Sequence, residues 1–248
     1  MKRRGFMDRS FTATAATSPR RPPMPRIAPR RCPIADSSAL EVWGSTSAAN
    51  VQKVTWLLEE IGKPYVARGV GYPAADPLDA VYLKVRGGEA SPILVDGERV
   101  LWEGNAVIRY LAERYAPGTL YPAQLEARAD VDRWMDYQLS TIRPPLHAML
   151  RDRLDAGAVA RNAAKLAEAM EPVEAALARR PYLAADAFTI GDIPVGINAY
   201  RWFLLDIERP ASPAIEAWVA RLQERPAFRK AIVPPSNPNV ALRKAHHE

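Results

Sequence analysis

Three polar clusters hold the residue types from which a site could be built: Ser45-Thr46-Ser47-Ala48-Ala49-Asn50, Ser91-Pro92 and Glu103-Gly104-Asn105. Glu103-Gly104-Asn105 opens a helix directly behind a strand. A helix start in that place presents unpaired backbone N–H groups, which suit an anionic ligand. Ser91-Pro92 precedes a strand and is a candidate cis peptide. Such a bend would turn the Ser91 backbone outward, free to pair with an extended, peptide-like ligand. Ser47 and Thr46 lie just before another helix, where Ser and Thr are ordinary cap residues. Glu103 has an equally plain reading as a first-turn acid that favours the helix dipole. His246-His247 have no third ligand nearby, and Cys32 is the one cysteine. No metal site, disulfide or CxxC redox pair is therefore assigned.

The elements that must position these clusters read in a simple order. Leu40–Trp43 is β-prone. Asn50–Ile61 carries Val51, Val54, Leu58 and Ile61 at helical spacing, with Gly62 and Pro64 to end it. Tyr65–Val70 is a weaker strand, and Asp76–Val85 a short helix. Ile93–Val95 and Val100–Trp102 flank Asp96-Gly97, a strong hairpin signal because Gly takes φ > 0 without steric cost. Val107, Ile108 and Leu111 then form the apolar face of a helix over Glu103–Tyr115. Ala116-Pro117-Gly118 is the natural linker. From Gln124 onward the pattern is helical only. Ala127, Val131, Trp134, Met135 and Gln138 share one side, and Pro144-Pro145 should kink or break that helix. Further helices are expected over Ala158–Leu177 and Ile190–Phe203, and near Ala214–Arg225 and Ala227–Ile232. Thr189-Ile190-Gly191-Asp192 has capping-box spacing, with Phe188 and Ile193 placed as a hydrophobic staple.

The fold class is thus an α/β layer followed by an all-α region. The domain boundaries read as a basic extension over 1–38, an α/β domain over 39–116, a linker over 117–123, a helical domain over 124–234 and a tail over 235–248. The chain has 248 residues, 48% of them hydrophobic, which is enough for a sizeable core. No run approaches the roughly 18 apolar residues of a membrane helix, so a cytoplasmic protein without a membrane partner is expected. The net charge of +6 misleads, because residues 1–35 alone carry +8 and the remainder −2. Nucleic acid is accordingly not an expected partner. The Pro- and Arg-rich extension has little to bury and should be disordered. It reads as a solvated tail or an over-long translation start, as an organelle transit peptide, or as an anion-binding arm.

ASPILVDGERVLWEGNAVIRYL (Ala90–Leu111) resembles the glutathione-binding half of the thioredoxin-like domain in glutathione S-transferases. Bacterial members, of the theta- or beta-like serine type, read close to VPxL…LWESNAIxRYL there. WGSTSAANVQKVTWLLEEIGKPY (Trp43–Tyr65), FTIGDIPVG (Phe188–Gly196) and Tyr200–Lys230 are similar to further parts of the family, so the resemblance covers about residues 40–233. It implies a thioredoxin-like domain, an all-α second domain and, by family habit, a homodimer. It also implies a transferase that binds glutathione as thiolate and conjugates it to a small hydrophobic electrophile. A peroxidase, a dehalogenase and a non-catalytic binder of glutathione or hydrophobic ligands are the alternatives.

The resemblance also assigns roles. Family members keep a serine two residues before the asparagine, where this chain has Ala48. Ser47 is then the expected thiolate donor, with Asn50 second. Ser91 and Pro92 fall in the glutathione site, Ser91 offering backbone groups to the cysteinyl part. Glu103 would meet the γ-glutamyl ammonium. Gly104 replaces a serine and keeps only its backbone N–H for the carboxylate. Lys53, Lys84 and Arg86 are candidates for the glycine carboxylate. Trp134, Met135, Tyr137 and Gln138 fall on the helix that lines the electrophile pocket in the family, and His147 reads as structural or surface. Glutathione enters as co-substrate, and no metal is called for.

Overall fold

The computed structural model describes residues 39–69, 92–151 and 155–232. Ser91, Lys84, Arg86, the expected helix over Asp76–Val85, the basic extension and the His246-His247 pair lie outside them.

The first strand, β1 (Glu41–Trp43), is buried at all three residues. Glu41 is 2% exposed, yet its carboxylate is satisfied. It accepts from Trp43 Nε1 at 2.8 Å and from Arg68 Nη2 at 2.9 Å. Arg68 ends β2 (Val66–Arg68), which runs parallel to β1. β3 (Ile93–Asp96) and β4 (Arg99–Trp102) complete a four-stranded mixed sheet of order β2-β1-β3-β4, with β3 antiparallel to both neighbours. Asp96 pairs with Arg99 across the hairpin, and Gly97 takes a φ of 58° in the turn. The Asp96 carboxylate accepts from the hydroxyls of Tyr110 and Tyr115, which ties the turn to the next helix. This parallel and antiparallel mixture is the thioredoxin-like arrangement, and the described residues beyond the sheet are mainly helical.

Helix α1 (Ala49–Glu60) packs against β1 on one side and α2 (Gly104–Tyr115) on another. Beyond Tyr115 come α3 (Leu125–Tyr137), α4 (Arg143–Arg151), α5 (Ala156–Leu177), α6 (Asp192–Leu204), α7 (Pro213–Gln223) and α8 (Pro226–Ala231). Helices α6 and α8 also pack on α1, so the sheet and the helical region share one core.

Of the kink or break expected at Pro144-Pro145, the break does not occur. Gln138–Ile142 forms a π-helical turn between α3 and α4, in which the Arg143 N–H donates to Gln138 O. The two prolines then fall in the first turn of α4. The π turn just before them is the kind of local widening by which a helical path accommodates proline. The wide turn keeps the path helical and turns Gln138 inward, at 1% exposure. The stripe Leu166, Met170, Val173 and Leu177 of α5 is buried as expected.

The capping box forms with one change. The Thr189 N–H donates to Asp192 Oδ2 at 2.9 Å, as expected, but the Asp192 N–H goes to the Thr189 carbonyl rather than to its hydroxyl. That hydroxyl instead donates to Asp192 Oδ2 and accepts from the Gly191 N–H. Asp192 Oδ1 accepts from Leu183 N–H at 2.9 Å. The carboxylate is fully buried, and burial pushes its pKa up to about 6 against the pull of these donors. Asp192→Ala would strand two buried N–H groups, at roughly 1–3 kcal/mol each. Urea unfolding should show a loss of about 3 kcal/mol; a loss below about 1 kcal/mol would remove Asp192 as a folding element.

Candidate functional site

The N-terminus of α1 faces a cavity of about 630 Å³. Ala48, Ala49 and Asn50 form one wall. Gln138, Arg143 and Leu146 form a second, and Asn198 and Arg201 of α6 a third. Ala48 is the N-cap, in extended conformation, and it has no side chain to accept from the first-turn N–H groups. The positive end of α1 is therefore directed at the cavity without a side-chain cap.

Asn50 lines this space. Ser47 is half-buried and is not among the described lining residues. Its hydroxyl lies 3.0 Å from that of Ser45, and it does not cap α1. Its carbonyl accepts from Arg201 Nη2 at 2.7 Å, and the same nitrogen donates to Gln52 Oε1 at 2.9 Å. Both acceptors are neutral. Burial alone lowers the Arg201 pKa, to about 10.

Glu103 sits between β4 and α2 with φ 69° and ψ 107°. It is the one non-glycine residue with positive φ among the described residues. Strain of this kind, of order 1–3 kcal/mol, clusters where a ligand is held. Gly104 follows, buried at the first position of α2. A Cβ added to it would stand 3.2 Å from Asn50 O and 3.4 Å from Lys53 Cδ. At Gly104, α2 thus comes close to α1, and a side chain would require a shift of a few tenths of an ångström. Pro92 is buried ahead of β3.

Lys53 is not a surface cation for a carboxylate. It is 1% exposed, and its Nζ donates to Asn105 Oδ1 at 2.9 Å and Gln138 Oε1 at 3.0 Å. Asn105 Nδ2 in turn donates to Met135 O, so α1, α2 and α3 meet at one polar knot. Of the four residues on the helix that lines the electrophile pocket in the family, Gln138 borders this cavity. Trp134 and Met135 are core, and Tyr137 donates to Ala169 O. Sequence reasoning missed Arg143, Leu146, Leu150, Asn198 and Arg201, and assigned His147 no part in the cavity it borders. No local motif marks them; they converge only through the folding of α4 and α6 onto α1.

This geometry has known parallels. Residues 44–119 match the glutathione S-transferase N-terminal domain. The chain is 30% identical over 205 residues to glutathione S-transferase GstB of Escherichia coli, covering 79% of this chain and 99% of that one. The protein belongs to the glutathione S-transferase family. It is 32% identical to glutathione S-transferase 3 of Zea mays, over 78% of this chain and 93% of the other. Among solved structures, a theta class glutathione S-transferase from Xanthomonas axonopodis pv. citri with glutathione bound aligns with a TM-score of 0.68 at 36% identity. That alignment covers 79% of this chain and 97% of that one.

Within this transferase fold, Lys53 is a buried cation without a carboxylate on its Nζ. Burial lowers its pKa to about 7, Arg143, Arg109 and Arg201 push the same way, and Glu103 opposes them. A neutral amine has two N–H donors, which match the two amide oxygens, so both bonds survive deprotonation. The folded protein gives up this proton near pH 7, whereas the unfolded chain holds it to about 10.5. In that window the unfolded state binds more protons, so stability rises with pH. The slope is at most ~1.4 kcal/mol per pH unit. Unfolding free energies of the parent minus those of Lys53→Met should climb between pH 7.5 and 9.5 (about the middle of the window). A flat difference would mean that Lys53 stays charged.

Proposed function

We propose that the protein binds glutathione along β3 and the start of α2, holds its sulfur as thiolate at the start of α1, and transfers it to a small electrophile with an apolar body. The observation that carries this reading is the uncapped N-terminus of α1 opening on the cavity, with Asn50 in its first turn. The Xanthomonas relative, with glutathione bound, supports the choice of thiol.

A free thiol has a pKa of about 8.5, so little thiolate exists at neutral pH. An amide donor and a helix N-terminus beside the sulfur favour the anion. Asn50 borders the cavity and is the first donor in this reading; Ser47 is the second. Glu103, held at positive φ, would meet the γ-glutamyl ammonium, and the Gly104 N–H its carboxylate. Glutathione is the co-substrate, and its thiolate adds to the electrophile without a covalent enzyme intermediate. The protein contributes thiolate stabilisation and proximity.

The test is ultraviolet titration of the bound thiol, run beside calorimetry of glutathione binding. The parent complex should show thiolate absorbance well below the free-thiol pKa of about 8.5. Asn50→Ala should raise that midpoint by about one unit or more with little change in affinity, and Ser47→Ala should raise it less. Glu103→Ala should weaken binding roughly tenfold without moving the midpoint. A parent complex with no depressed thiol pKa would overturn the transferase reading and leave a glutathione binder.

A further inference from the structure

The cavity beside α1 is cationic in a way that glutathione activation does not need. Arg143 and Arg201 line it, and none of its described lining residues is Asp or Glu. Arg109, in the same region, shows the contrast. It is held by Asp132 and Asp136, which keep its pKa raised. Among the described residues, Arg201 donates to the Ser47 carbonyl and the Gln52 amide oxygen, both neutral, and burial lowers its pKa. Neither Arg143 nor Arg201 has a carboxylate within ion-pair distance among the described residues.

A second observation is independent of charge. Asn198, on α6, is 3% exposed and lines the same cavity, and its Nδ2 has no hydrogen-bond partner. An orphaned buried donor is costly, and its presence in a native fold calls for an acceptor. Gln138 adds to the pattern. Its oxygen already accepts from Lys53, while its NH₂ has donors to offer. The two guanidinium groups can only donate, and the amides of Asn50, Gln138 and Asn198 add further N–H groups, while Leu146, Leu150, Ala48 and Ala49 supply apolar wall.

We propose that the electrophile carries an anionic oxygen group of the carboxylate type, held by Arg143, Arg201 and the Asn198 amide while its apolar body lies against Leu146 and Leu150. This rests on the transferase reading above and narrows its substrate class. Guanidinium and amide N–H groups match carboxylate oxygens in geometry as well as charge.

Two aryl chlorides of the same shape test it: 4-chloro-3,5-dinitrobenzoate and the corresponding benzamide. In each, the glutathione thiolate forms a C–S bond at the ring carbon that bears chlorine. The C–Cl bond breaks, chloride leaves with the bonding pair, and the proton of the thiol goes to buffer. Rates are divided by the uncatalysed rate of each compound, which removes their difference in intrinsic reactivity. The benzoate should be preferred in kcat/KM by roughly tenfold or more, the worth of one charge-assisted contact. Arg143→Gln should collapse that ratio toward one, and Asn198→Ala should reduce it. A parent ratio at or below one overturns the proposal. So does a ratio untouched by both variants while the KM for glutathione rises, since the cations would then serve glutathione's own carboxylates.

Calorimetry of the two preformed glutathione conjugates separates this proposal from the reading beneath it. Tight, benzoate-selective binding without turnover would keep the anion subsite and reject the transferase. Equal binding of both conjugates, with S-hexylglutathione also bound, would reject the subsite and leave glutathione recognition standing.

Discussion

Helix α1 is buried on nearly every side, and this is the constraint on which the rest depends. One end borders the cavity, and the other is clamped by Arg225, which holds Glu60 through two hydrogen bonds of 2.6 and 2.7 Å. Trp56 and Leu57 are fully buried between the sheet layer and the helical region. A helix with apolar neighbours on both flanks has no face to spare for charge. The one cation it buries, Lys53, must therefore be satisfied by amides rather than water. Those amides come from α2 and from the turn after α3, so the polar knot sets how three helices meet. The positive end of α1 is then held in place without any cap of its own.

Much of this framework was legible in the sequence because it is local. The hairpin follows from Asp96-Gly97 between β-prone runs, and α1 and α2 follow from apolar spacing. The Thr189–Asp192 box was readable as a helix start because both partners lie within four residues. Its actual wiring was not. The Leu183 N–H that completes Asp192 approaches from a separate turn, and no spacing rule points to it. Pro144-Pro145 misled for a related reason. Proline ends a regular α-helix, but a π turn just before it supplies a wider path that residue pattern does not announce.

The site divides the same way. Asn50, Glu103 and Gly104 could be named because they lie at helix starts, where backbone chemistry is local. Lys53 was readable only as a basic residue at helical spacing; its burial depends on Asn105 and Gln138, 52 and 85 residues away in the chain. Arg201 meets the Ser47 carbonyl across 154 residues. Interactions of that range decide which cations are solvated and which are held against a cavity, and single-residue chemistry cannot rank them.

Gly104, where the family resemblance leads one to expect a serine, marks how closely two helix starts approach. A Cβ there would stand 3.2 Å from the Asn50 carbonyl oxygen, a close approach of α2 to α1 that a side chain would widen by a few tenths of an ångström. That approach places the Gly104 N–H, at the positive end of α2, beside the first turn of α1. Two helix N-termini then lie close together with no side-chain cap on either. Each partial positive charge raises the cost of the other. Glu103, the N-cap residue of α2 at positive φ, brings a negative charge to this region and raises the pKa of Lys53 against the effect of burial. The positive φ at Glu103 and the close packing at Gly104 thus belong to one arrangement, which sets two uncapped helix starts side by side where negative charge is favoured.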